Sequence, residues 1–258
     1  MNPIAFSIMG FSVRWYGILI GLGILMAIVV AEKLSKLKNV NFDELLNIVL
    51  IALPIGIIGA RLYYVVFNWD MYKGNLLEMI NIRGGGLAIH GGLIFGIGTA
   101  VIYSYKKKID FLKYIDVAAP GIVLAQAMGR WGNFFNGEAH GSVVSESFIQ
   151  HFPKFIQKGM YIKEGNLAAA YYQPTFLYES TCNLLIFIIL IIILKKTDKK
   201  GIVFASYILL YSTARFFIEG LRTDSLMLGP LRMAQCISLL GILVAAVFIL
   251  FQFRKKHQ

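Results

Sequence analysis

"YIDVAAPGIVLAQAM", residues 114–128, is the stretch whose reading decides the fold. It is apolar but short for a membrane helix, and it carries Asp116 and Pro120. Read as a span, it brings the number of spans to seven and puts the lysine clusters at alternate helix ends. Read as a loop, it leaves six and breaks that alternation. The rest of the chain supports a membrane protein: of 258 residues, 57% are hydrophobic and only 15% are charged. With a mean hydropathy of +0.67, the chain is too apolar for a soluble domain with a polar exterior. A hydrocarbon core of roughly 30 Å needs about 20 apolar residues per helix. Helices are the default because lipid offers the backbone amides no partner.

The apolar windows predict helices over about 14–32, 44–67, 87–105, 114–128, 176–194, 201–220 and 231–253. One set of ends then carries Lys33, Lys36 and Lys38; Lys106, Lys107, Lys108 and Lys113; Lys195, Lys196, Lys199 and Lys200; and Arg254, Lys255 and Lys256. These are more than half of the 25 basic residues. By the positive-inside rule that side is cytoplasmic, with the N-terminus outside and the C-terminus inside. The expected architecture is a single all-α membrane domain over 1–258, with residues 142–172 as a small extracytoplasmic cap.

The first fifteen residues hold no basic residue before Arg14, so the first helix is expected to be retained rather than cleaved. The net charge of +11 lies in clusters between apolar spans, which points to topology and not to a nucleic-acid partner. Cys182 and Cys236 stand alone in apolar windows and read as small core residues, so no metal or redox site is expected.

Charges inside spans are costly and normally face a partner or a cavity. Arg61 lies in the second span, in "GARLYYVVF", and Glu179 opens the fifth, in "QPTFLYES". In "YSTARFFIEGLR", the spacing of Tyr211, Arg215, Glu219 and Arg222 predicts one shared helical face. One carboxylate there does not balance two guanidiniums, which leaves either an anionic ligand or an internal pair with Arg222 snorkelling. His90 sits among the glycines of "RGGGLAIHGGLIFGIG", which read either as a close helix contact or as the setting of a proton-exchanging imidazole. In "VRWYG", Trp15 reads as an interfacial belt residue, and Tyr16 offers a hydroxyl at headgroup depth.

The densest polar stretch is "GRWGNFFNGEAHG", residues 129–141. Arg130 is a fixed cation with a fork suited to a phosphodiester, and Asn133 and Asn136 can both donate and accept. Trp131, Phe134 and Phe135 are expected to seat it at the lipid boundary. A polar re-entrant turn accounts for the glycines, but not for Arg130 together with Glu138. The chain has no phosphate loop, zinc-helix pattern or nucleophile elbow. An enzyme of this kind would activate a nucleophile brought by its substrate.

This stretch resembles the signature of the prolipoprotein diacylglyceryl transferases. The resemblance extends in order to "RWYG", "GARLYYVVF", "GGLAIHGG", "QPTFLYE" and "YSTARFFIEGLR", covering nearly the whole chain. It implies a seven-helix enzyme of the bacterial plasma membrane. That enzyme moves the diacylglyceryl group of phosphatidylglycerol onto the lipobox cysteine of a preprolipoprotein, forming a thioether and releasing glycerol phosphate without a cofactor. It also implies that Arg130 binds phosphatidylglycerol, with Asn133, Glu138 and Gly141 as signature residues and Asn136 and Arg61 alongside. His90, Tyr16 and Arg215 match positions important for activity, supported by Tyr211, Glu219 and Arg222. His140 falls outside the signature and reads as a loop residue. Gln173, where the family often has His, and Arg83 with Gly84 depart from the pattern. The expected chemistry is attack by the cysteine thiolate, with His90 as base or Arg215 lowering the thiol pKa. A transporter or flippase for an anionic lipid is the alternative, and it would be expected to show internal repeats, which this chain lacks.

Overall fold

The computed structural model describes residues 1–8, 10–82, 85–163, 165 and 168–254. Arg83, Gly84, Lys255 and Lys256, which entered the motif and charge readings, lie outside the described residues, as do positions 164, 166 and 167 of the expected cap. Long helices cover Trp15–Lys38 (α1), Phe42–Phe67 (α2), Ile89–Lys107 (α3), Phe111–Asn136 (α4), Thr175–Lys196 (α5), Ile202–Glu219 (α6) and Met233–Arg254 (α7). Among the described residues, six are long and apolar enough to cross a membrane: α1, α2, α4, α5, α6 and α7.

The outcome reverses the expectation about the weakest span. The window at 114–128 belongs to a helix of 26 residues that continues through the signature to Asn136. The signature is therefore helical as far as Asn136, not a re-entrant turn. The helix outside the six is α3, diluted by Gly91, Gly92, Gly96, Gly98, His90, Thr99 and Ser104.

Asp116 has a structural reason to be buried. Its carboxylate accepts the backbone N–H groups of Gly201 at 2.6 Å and Phe204 at 2.8 Å. It thereby caps the start of α6 from another helix, because the cap residue of α6 is Gly201 and has no side chain of its own. Pro120 removes one helical hydrogen bond. The next residue, Gly121, lets α4 approach Ala27 of α1, since a Cβ there would stand 2.8 Å from the Ala27 carbonyl oxygen.

The chain forms two compact units, one of Met1–Leu34 with Ile115 onward and one of Ser35–Tyr114. In the first, α6 packs against both α5 and α7. Its core includes Val117, Val123, Leu190, Leu194 and Val203, all essentially inaccessible. Leu240, Leu243, Val247 and Leu250 of α7 and Leu22, Leu25 and Val29 of α1 are exposed. A continuous apolar exterior of this kind suits lipid rather than water. In the second unit, α2 and α3 meet through glycines. A Cβ at Gly59 would overlap the Phe95 ring, and one at Gly91 would run into the Gly59 carbonyl. The close-contact reading of the glycines around His90 therefore holds for this pair of helices.

The structure is mostly helical, as expected of an all-α membrane protein. Among the described residues, short antiparallel hairpins pair Ile4–Ile8 with Phe11–Arg14 ahead of α1, Tyr161–Ile162 with Ala170–Tyr171, and Met227–Leu228 with Leu231–Arg232. The aromatics expected at the lipid boundary are instead drawn inward. Phe134 is buried with Ile149, Ile156, Met160, Tyr172 and Phe176, and Trp131 and Phe135 pack against that cluster. Ile149, Ile156, Met160 and Tyr172 thus share one aromatic core with Phe134 of α4 and Phe176 of α5.

Candidate functional site

In the first unit, charges of both signs meet where α4 ends, α5 begins and α6 ends. At the centre is Glu179, only 5% exposed. One carboxylate oxygen accepts from Arg215 Nη1 and the other pairs with Arg130 Nε. One helical turn beyond Arg215, Glu219 Oε2 lies 2.6 Å from Arg215 Nη2. Two guanidiniums therefore meet two carboxylates.

Arg222, counted toward the charge excess expected on helix six, has a carboxylate of its own. α6 ends at Glu219, so Arg222 lies beyond the helix, still near enough to feel Glu179 and Glu219. Its guanidinium grips Asp224 with both edges, at 2.9 and 2.8 Å. Burial disfavours the charged guanidinium of Arg222, yet hydrogen bonding and attraction from Asp224 outweigh it and raise the pKa. Burial likewise pushes Asp224 upward, but the hydrogen bonds and charge of Arg222 bring it below the usual carboxylate value. Tyr211 stacks on Tyr207, with ring centroids 5.8 Å apart.

The signature side chains form a chain of hydrogen bonds along the last turns of α4. Arg130 Nη1 donates to Asn133 Oδ1 at 3.3 Å. Asn133 and Asn136 each donate to Glu138 Oε1, at 2.9 and 3.2 Å. Among the described residues, Glu138 thus holds two amides and no guanidinium. Asn136 Oδ1 is buried without a donor among the described residues, an acceptor still open to a partner. Gly137 and Ala139 both take positive φ as the helix unwinds, and Thr175 Oγ1 fixes this turn by donating to the Ala139 carbonyl at 2.6 Å.

Gly141 follows, bridged to Arg222 across an isolated antiparallel pair. Its N–H donates to the Gln173 carbonyl at 2.9 Å. His140 is 6% exposed. Its ring centroid lies 4.2 Å from that of Tyr172, and Nδ1 lies 3.1 Å from the Gly141 carbonyl oxygen. It is a loop residue, as expected, but a packed and buried one.

α1 closes onto the same end of α4. Trp15 stacks on Phe135 at 5.0 Å between centroids, so it is held within the protein as well as placed at a helix start. The Tyr16 ring lies over Gly132, where a Cβ would come within 2.6 Å of it. Tyr16 is thereby fixed beside the turn that carries Arg130 and Asn133, and its side chain remains partly exposed.

In the second unit, Arg61 is 6% exposed and fully engaged by backbone. Nε donates to the Met79 carbonyl at 2.9 Å, Nη1 to Gly85 and Gly86 at 2.8 and 3.0 Å, and Nη2 to Glu78 at 2.5 Å. Four donated bonds to one loop leave little of the fork for a lipid headgroup, so the geometry favours a loop-organising role over the expected headgroup contact. The loop leads to the Ala88 N–H, which donates to Ala60 at 3.0 Å, and then to His90 on the first turn of α3. His90 is exposed, its ring 6.2 Å from that of Tyr63, and it makes no hydrogen bond among the described residues.

Of the residues singled out from sequence, Arg130, Asn133, Asn136 and Glu138 form one hydrogen-bonded chain, Arg215 and Glu219 join Arg130 through Glu179, and Tyr16 packs on Gly132, whereas Arg61 and His90 belong to the second unit. Sequence reasoning left Glu179 out of the site, although a carboxylate inside a span was itself the signal. It also gave no role to Asp224, two residues after Arg222.

Comparison with known proteins agrees over the chain's length. The family model of the prolipoprotein diacylglyceryl transferases matches residues 3–251. A phosphatidylglycerol-prolipoprotein diacylglyceryl transferase of Clostridium kluyveri is 55% identical over 251 residues, 97% of this chain and 96% of its own. One from Clostridium botulinum (Loch Maree, type A3) is 53% identical over 258 residues, 100% of this chain and 99% of its own. With the signature, the membrane helices and these relatives in agreement, the chain belongs to the prolipoprotein diacylglyceryl transferase family.

Proposed function

We propose that the protein transfers the diacylglyceryl group of phosphatidylglycerol to the lipobox cysteine thiol of preprolipoproteins, the first step of bacterial lipoprotein maturation. The observation that carries this reading is the Arg130–Glu179–Arg215 cluster, centred on the buried Glu179, beside the Asn133, Asn136 and Glu138 network, in a chain of this family. The activity for which the relatives are named supplies the two substrates. In the membrane, the proposed topology is seven spans with α3 included, the N-terminus outside, and the site toward the extracytoplasmic face with segment 142–172 over it.

The thiol sulfur attacks the glycerol carbon that bears the phosphodiester. A C–S bond forms, the C–O bond breaks, and glycerol phosphate leaves with the electron pair on oxygen. A free cysteine has a pKa of about 8.5, so the thiol proton must be drawn off or its loss favoured by nearby positive charge. His90 is the proposed base and Arg215 the alternative source of activation. Arg130 neutralises charge growing on the phosphate oxygens, an effect that preorganised donors make worth about 3–4 kcal/mol in dry sites. The open acceptor Asn136 Oδ1 suits a headgroup hydroxyl, and Tyr16 offers its own hydroxyl to headgroup oxygens.

The test is purified protein with phosphatidylglycerol and a synthetic lipobox peptide, read by mass spectrometry. A diacylglyceryl mass gain that vanishes when the peptide cysteine is replaced is expected. No gain, with lipid movement between vesicle leaflets instead, would make the protein a lipid transporter.

A further inference from the structure

We propose that Glu179 is an internal counter-anion for the phosphate subsite: it holds Arg130 and Arg215 in anion-binding geometry and releases Arg130 when the lipid phosphodiester arrives. The proposal rests on the reading of Arg130 as the phosphate-binding arginine.

Glu179 offers one oxygen to each of two guanidiniums. A phosphodiester carries the same single negative charge on two free oxygens and presents it in the same way. Competition for the same donors then calls for a rearrangement. Glu179 occupies Arg130 Nε and Arg215 Nη1, and both Glu179 and Glu219 are almost wholly buried. A phosphodiester that takes the same guanidinium edges brings a second anion against the Glu179 carboxylate, and that repulsion is relieved when Glu179 withdraws from Arg130.

The geometry also selects which guanidinium is freed. Arg215 keeps Glu219 at 2.6 Å when Glu179 lets go. Arg130 has only the longer 3.3 Å bond to Asn133 besides Glu179 among the described residues. Arg130 is therefore the arginine that changes partners. After the C–O bond breaks, the leaving phosphate monoester carries added negative charge and would bind two arginines tightly. The return of Glu179 to Arg130 opposes that and speeds release, so Glu179 acts as a positioning residue that sets lipid affinity against product departure.

Glu179→Gln keeps the shape and removes the charge. In detergent, with phosphatidylglycerol and lipobox peptide, the expected result is a lower KM for lipid and inhibition by added glycerol phosphate strengthened by about tenfold. The kcat is expected to fall as release slows. A raised KM, or unchanged glycerol phosphate inhibition in a variant that melts like the parent, would overturn the proposal. If Glu179→Gln does not fold, Glu179→Asp shortens the reach; the same direction of KM is expected, and a raised KM overturns the idea. Arg130→Lys separates this from the underlying reading. If that variant works at the parental rate and KM, the phosphate role of Arg130 fails. If it is impaired while Glu179→Gln leaves KM and inhibition unchanged, the counter-anion role alone fails.

Discussion

A Cβ at Gly141 would stand 2.8 Å from the Cβ of Gln173, and the Leu221 carbonyl oxygen closes the other side at 3.0 Å. Both obstacles leave little room to move: one belongs to a side chain at its root and the other to backbone. Gly141→Ala is therefore expected to destabilise the protein by about 1–3 kcal/mol through overpacking. It should also shift the strand that links the signature to Arg222, lowering transfer. Thermal melting in detergent together with the peptide assay checks this, and a variant normal in both would show that the gap yields easily.

Arg61→Lys keeps the charge but loses the fork that reaches four carbonyls. Each buried carbonyl left without a donor costs about 1–3 kcal/mol. The expected outcome is faster amide exchange through residues 78–88 and a lower melting temperature. Exchange protection equal to the parent's would contradict the loop-organising role.

Asp116→Ala removes the acceptor for the first N–H groups of α6. Loss of a helix cap costs about 1–2 kcal/mol, so the melting temperature should fall. The KM for lipid should stay near the parental value, since Asp116 serves the start of α6 and the ion cluster lies at its end. A large change in KM with unchanged melting would reverse that assignment.

Asp224 is ionised more readily in the folded protein than in the unfolded chain. A depressed carboxylate pKa adds stability above the unfolded value of about 3.9, and that stability is lost as pH falls through the folded value. Stability of the parent relative to Asp224→Asn should thus be constant near neutrality and should converge toward the variant below about pH 4. Denaturation followed from pH 6 to pH 3 measures the difference. A gap that widens toward acid would exclude the Arg222 pair as its source.

Much of this architecture could be read from the chain because lipid imposes length and apolarity on every span. The six helices long and apolar enough to span a membrane lie on predicted windows, and the boundaries differ mainly where a helix continues through polar sequence. α4 ran past Met128 because Trp131 and Phe134 face an aromatic core, a long-range packing fact that hydropathy does not contain. Spacing linked Arg215 to Glu219, since both lie on one helix. Spacing could not link Arg130 to Glu179 or Asp116 to Gly201, because those partners come from separate helices. Arg222 misled for a local reason: the residue keeps helical spacing in sequence after Gly220, but the helix has already ended.

The ion cluster also bears on how the chain enters the bilayer. Arg130 on α4 meets Glu179 on α5, the next long helix to be made, and Arg215 meets Glu219 within α6. The Arg215–Glu219 pair is therefore complete within α6 as that segment is inserted, whereas Arg130 meets its carboxylate only when α5 follows. An unpaired charge is costly in hydrocarbon, so the order of synthesis leaves Arg130 waiting for one helix and Arg215 for none. The contact between Arg215 and Glu179 then joins pairs that are already discharged, and it can form last, when α6 settles against α5.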